Sequence, residues 1–264
     1  MTATSDHTPL ELLVRQAGGR DANPIVLLPQ APGSGADAIA RALVQNLDEA
    51  HWRLLPAPGE GADVLRQRGW HRDAWLAMSA ADRDSVALVT GATAGYLAPV
   101  LADAARTVVF VRDPLAGAAR TGERVPKLRG LERLAETPAA EIPERLRRIA
   151  NPQSRALLAP WHDPAELPVT PGPPTDADRW RDALFGDVLP HLDASALEQA
   201  PSVARELLES LGGRSKSVMQ AANAAAHGKL LAPDDPARVD LLLRFNWLDA
   251  ELYERFACPS GQAG

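Results

Sequence analysis

The sequence predicts an α/β protein: a parallel sheet joined by crossover helices, running into a helical C-terminal half. Three observations predict it. An apolar run, Pro24 to Leu28, leads through a Gly/Ser-rich turn into an amphipathic stretch. A stronger apolar run, Arg106 to Val111, meets Arg112-Asp113-Pro114, where proline can open a helix. From Leu128 onward only helical patterns follow. Strand–turn–helix units at such intervals are typical of parallel sheets.

Taken in order, Leu10 to Gln16 reads as a short helix ended by Gly18-Gly19. Pro24 to Leu28 is bounded by turn formers and reads as a buried strand. The turn Pro29 to Gly35 follows, then a helix from Ala36 to Leu47 with Ile39, Leu43 and Leu47 on one face. Trp52 to Leu55 is a weaker strand, Arg72 to Met78 a short helix, and Ser85 to Thr90 a strand. Pro164 to Pro174 is proline-rich and reads as a surface loop. Ser195 to Leu211 reads as a helix broken near Pro201, and Pro236 to Phe256 as helical. The 264 residues suit a single domain, 1–264, with 1–22 as an N-terminal extension and 128–264 as the mainly helical part.

Composition excludes several function classes. Hydrophobic residues make up 45% and charged residues 23%, which suits a globular protein that buries a core. The net charge is −6, and lysine occurs only at Lys127, Lys216 and Lys229. Nucleic-acid binding needs clustered cations, so no nucleic-acid partner is expected. The single cysteine, Cys258, allows neither an internal disulfide nor a Cys-based zinc site. No metal-ligand constellation stands out. Met1 to Arg20 lacks a basic region followed by an apolar core, and no apolar run reaches the ~18 residues that span a bilayer. These features point to a cytoplasmic protein without a membrane partner. A homodimer is compatible with the sequence, which does not fix the oligomeric state.

The turn Pro29 to Gly35 carries the first chemistry. A strand, a small-residue turn and a helix N-terminus place backbone N–H groups and the positive end of a helix dipole at one spot. Such a spot accepts phosphate. The turn is not a Walker A loop, because no lysine follows Gly33 or Gly35. A plain strand-to-helix turn would need the same glycines, so this segment alone does not decide.

Further segments do more. Thr90-Gly91-Ala92-Thr93-Ala94-Gly95-Tyr96-Leu97 precedes the strand that ends in Phe110-Val111-Arg112-Asp113-Pro114-Leu115. Asn151-Pro152-Gln153-Ser154-Arg155-Ala156-Leu157 follows a helical stretch, and Asn246-Trp247-Leu248-Asp249-Ala250-Glu251-Leu252-Tyr253 comes near the end. With the first turn, these segments resemble, in order and interval, the sulfotransferases that use 3′-phosphoadenosine 5′-phosphosulfate (PAPS). They resemble especially the branch that contains the uronyl 2-O-sulfotransferases and many bacterial relatives. The likeness spans Pro24 to Phe256.

The resemblance implies a three-layer, P-loop-like fold with helices on both faces of a parallel sheet. It implies PAPS as co-substrate, with Ala31, Gly33, Ser34 and Gly35 around the 5′-phosphate and Arg112 on the 3′-phosphate. Arginine suits phosphate because its planar fork matches the oxygens. An ion pair with Asp113 or Asp103 is the other reading of Arg112. The acceptor would be a hydroxyl of a carbohydrate or a small metabolite.

The chain departs from that family where its chemistry is concentrated. Gln30 stands where the family has the lysine of the phosphate turn; in a second register the position falls to Gly33. Ala92 stands where that branch has its histidine base, and Arg120 where it has a phosphate-binding serine. Asp37 is a substitute base, or simply an acid favourably placed in the first helical turn. Lys229 and Arg214 lie where relatives carry a loop over the nucleotide. His51, His71, Trp70, Trp75 and Trp161 are acceptor-side residues or ordinary packing and surface residues. Two functions follow: sulfuryl transfer from PAPS, or a repurposed fold that binds a nucleotide or a protein partner without transfer. An unrelated P-loop enzyme is a third, opposed by the missing lysine.

Overall fold

The computed structural model describes residues 11–15, 25–32, 34–45, 52–56, 75–91, 94–101, 104–116, 150–163, 165–210, 216–227 and 236–257. Its centre is a six-stranded sheet. The strands are β1 (Glu11–Arg15), β2 (Ile25–Pro29), β3 (Trp52–Pro56), β4 (Val86–Gly91), β5 (Ala105–Val111) and β6 (Asp193–Ala196), in the spatial order β3-β1-β4-β2-β5-β6. β4, β2, β5 and β6 pair in parallel, whereas β1 pairs antiparallel with both β3 and β4.

β2 and the Val108–Val111 half of β5 are continuous apolar runs because they are buried on both faces. Side chains alternate along a strand. Val26, Leu28, Val108 and Phe110 therefore join one cluster, with Ile39 and Leu43 of α1 (Ala36–Gln45). Leu207 of α6 (Ala200–Ser210) and Val218 of α7 (Lys216–His227) complete that face. On the opposite face Ile25 and Leu27 pack with Trp75, with Leu97 of a 3-10 turn (Ala94–Leu97) and with Leu101 of α3 (Ala98–Leu101). Val109 and Val111 pack there against α4 (Pro152–Leu158), α5 (Ala177–Arg181) and α9 (Trp247–Ala257). Helices thus cover both faces of the sheet.

Several expectations are corrected. The segment Leu10 to Gln16 contains a strand, not a helix, and it lies inside the sheet rather than on an extension. A helix that short is unstable alone, whereas the strand gains two antiparallel ladders. Ser85 ends a capped helix, α2 (Ala80–Ser85), and the strand begins at Val86. Ser79 caps α2 by accepting from the Asp82 amide at 3.1 Å. The region after Leu128 is not helical throughout, since β6 lies in it. Asp-Ala-Ser-Ala has little strand propensity; pairing with the exposed edge of β5 decides its state. Pro201 does not break a helix. It is the second residue of α6, where its missing N–H costs nothing, after a 3-10 turn at Leu197–Gln199. Pro236 to Phe256 is two helices, α8 (Pro236–Phe245) and α9, divided at Asn246. No described helix is long and apolar enough to cross a membrane.

Candidate functional site

α1, which follows β2, lies on one face of the sheet, and the helices after β4 and β5 lie on the other. The carboxyl end of β2 is therefore a topological switch point, the place where open α/β sheets form ligand crevices. Gln30, Ala31, Ser34, Gly35 and Asp37 gather there. Arg112 directly follows the neighbouring strand β5. Gly33, Arg120 and Lys229 lie outside the described residues, as do Ala92, Asp103, Arg214, His51, His71 and Trp70.

The described residues of the turn bond to one another and to β4. Gln30 is buried, and its backbone N–H donates to the Gly91 carbonyl at 3.1 Å, prolonging the β2–β4 ladder. Its side-chain amide donates to the Thr90 hydroxyl at 3.2 Å, which in turn donates to the Leu28 carbonyl at 3.2 Å. Ser34 is fully buried; its hydroxyl donates to the Ala31 carbonyl at 2.8 Å and accepts from the Ala36 amide at 3.3 Å. Gly35 has φ +79°, and a Cβ there would stand 3.2 Å from a Leu197 methyl. Glycine is thus required twice over, by backbone angle and by the approach of Leu197. Asp37 is half-buried, with its carboxylate 3.9 Å from Arg41 one turn on. Such an exposed pair stabilises by about 0.3–0.5 kcal/mol.

Arg112 is 2% exposed. Its backbone is clamped by one side chain. The Arg112 N–H donates to the Gln153 carbonyl oxygen at 2.8 Å, and the Gln153 amide nitrogen donates back to the Arg112 carbonyl at 2.8 Å. Asp113 is engaged with the chain that follows, accepting from the Leu115 amide at 2.8 Å.

Gln153 leads into a polar core that joins the last two motifs. Asn151 is left-handed, with φ 49° and ψ 49°, and precedes Pro152 at the start of α4. Its side-chain oxygen accepts from the Leu248 and Asp249 amides of α9 at 2.9 and 3.2 Å. Asp249 returns the arrangement: its carboxylate accepts from the Gln153 and Ser154 amides of α4 at 3.1 and 2.7 Å, and from the Ser154 hydroxyl at 2.5 Å. Each helix N-terminus is therefore capped by a side chain of the other. Asn246 adds a third tie, its side-chain oxygen accepting from the Asn151 amide at 3.0 Å. Burial pushes the Asp249 carboxyl above the usual range, opposed by the hydrogen bonds from Ser154 and Gln153. Neither Asn151 nor Asp249 is among the site residues expected from sequence. The signal was present: Asn-Pro and Asn-x-x-Asp are both helix-start patterns. That the two caps cross is a tertiary fact.

A second place carries open space among the described residues. A cleft of about 640 Å³ sits at the amino ends of β5 and β6, with Arg106, Thr107, Trp161, His191 and Asp193 among its walls. It is at the opposite end of the strands from the turn. Trp161 is half-buried between two packed clusters, and Trp75 is buried packing. Among the described residues no group of acidic, histidine or cysteine side chains could hold a metal ion. Compared with known proteins, the chain matches no protein-family model, no curated protein and no solved structure.

Proposed function

We propose that this chain is a sulfotransferase-fold protein that keeps a nucleotide-phosphate crevice and has given up sulfuryl transfer. The conformation of Gln30 carries this reading. At the place where the resemblance expects a lysine, the side chain is neutral, buried and hydrogen-bonded to Thr90. It supplies no positive charge to a bridging oxygen. Losing one such preorganised group costs about 10²–10³ in rate. Nucleotide binding is supported by position: the turn lies at a switch point and opens a ten-residue helix whose N-terminus favours anions. The three-layer sheet and the order of the motifs support the fold name.

Active, PAPS-dependent transfer to a carbohydrate or small-metabolite hydroxyl is the second reading. One observation favours it: the turn and Arg112 follow the adjacent strands β2 and β5, as a nucleotide bridging the two would require. Asp37 would then be the base.

The test is incubation with sulfur-labelled PAPS and a panel of uronic-acid oligosaccharides, alcohols and phenols. The expected result is no label on any acceptor above the protein-free rate. Transfer that falls in Gln30→Ala or Asp37→Asn would establish the second reading instead.

A further inference from the structure

We propose that the cleft at the amino ends of β5 and β6 is a binding site for a planar, positively charged aromatic molecule, separate from the crevice at β2. Four observations converge on it. Its volume, about 640 Å³, is that of a small-molecule site. Two of its lining residues are aromatic: the Trp161 and His191 rings lie 13° from parallel with centroids 6.3 Å apart. The two rings are stacked on each other and form one aromatic wall of the cleft, and proline and alanine side chains extend the apolar surface.

The third observation sets the charge. Arg106 lines the cleft, and its guanidinium is already paired with two carboxylates. Its Nε donates to Asp193 at 2.7 Å, and its terminal nitrogens pair with Asp193 and Glu206. Among the described residues, Asp193 in the cleft wall and Glu206 behind it outnumber Arg106 as charges, on a chain whose net charge is −6. An incoming phosphate or carboxylate would meet an Arg106 whose charge is already offset by Asp193 and Glu206. A cation meets Asp193, whose side chain is 47% exposed, beside the Trp161–His191 stack.

Backbone geometry is the fourth. A seven-residue π-helical segment, Asp182–Val188, runs directly into the 3-10 turn Leu189–His191 that carries His191 to the cleft. π-helical turns are rare and are found disproportionately at functional sites.

The test uses two flat probes of similar shape and opposite charge, 1-methylquinolinium and 2-naphthoate, titrated into the full-length protein. The readout is calorimetric heat and the NMR shift of the Trp161 indole N–H, assigned through Trp161→Phe. The expected result is saturable binding of 1-methylquinolinium, at least tenfold tighter than 2-naphthoate. His191→Ala should weaken it at least fivefold and Asp193→Asn at least threefold. His191 is exposed, so that variant keeps the fold even where a change at Trp161 does not. Equal or tighter binding of 2-naphthoate, binding unmoved by His191→Ala, or no binding of either probe overturns the proposal. Competition by 3′-phosphoadenosine 5′-phosphate would overturn the separation from the β2 crevice.

Discussion

At the scale of single residues, the strongest constraints fall on Asp249, Gln30 and Gly35. Asp249→Asn replaces an acceptor with an amide donor facing the Gln153 and Ser154 N–H groups, so the variant is expected to lose about 2–4 kcal/mol in urea unfolding. The pH dependence has a defined sign. Because burial raises the folded pKa of Asp249, the folded state binds its proton more tightly than the unfolded chain. The stability this lends is complete below the unfolded value of about 3.9 and is lost as pH rises through the raised value. The wild-type advantage over Asp249→Asn should therefore shrink from acid toward neutral pH. An advantage that grows with pH would mean that the two helix N-termini hold the carboxylate ionised. Gln30→Lys breaks the Thr90 hydrogen bond and buries an ammonium, and should lower the melting temperature by an amount equivalent to about 2 kcal/mol or more. 3′-Phosphoadenosine 5′-phosphate should restore part of that loss, because a phosphate in the crevice would pair the new charge. Gly35→Ala should cost about 1–2 kcal/mol through its positive φ and the Leu197 contact.

At the scale of elements, legibility followed burial. β2 and β5 could be read because both faces are covered, which forces continuous apolar runs. α1 could be read from the spacing of Ile39 and Leu43. β1 and β6 could not. Glu-Leu-Leu-Val-Arg is too short for periodicity to separate helix from strand, and Asp-Ala-Ser-Ala is a strand only because β5 needs a neighbour. Pro201 was misleading for a related reason: its effect depends on whether it falls at a helix start, which the unread β6 determines. Pro201→Ala is accordingly expected to change stability by less than about 0.5 kcal/mol, a null result that a mid-helix proline would not give. The candidate turn was legible as a turn. The contacts of Gln30 and Gly35 were not, because their partners Thr90 and Leu197 lie 60 or more residues away in sequence.

At the scale of the whole molecule, the sheet separates two regions. The carboxyl ends of β2, β4 and β5 carry the turn, Thr90 and Arg112, held by the Gln30–Thr90 and Arg112–Gln153 hydrogen bonds and braced behind by the crossed caps of α4 and α9. The amino ends of β5 and β6 carry the open aromatic cleft. On the proposed reading, the first of these ends is a nucleotide-binding frame that no longer transfers a sulfuryl group. Calorimetric titration of the wild-type protein with 3′-phosphoadenosine 5′-phosphate tests that reading most directly. Saturable binding, with a rise in melting temperature as nucleotide is added, is the predicted result. No heat and no thermal shift at millimolar nucleotide would contradict it.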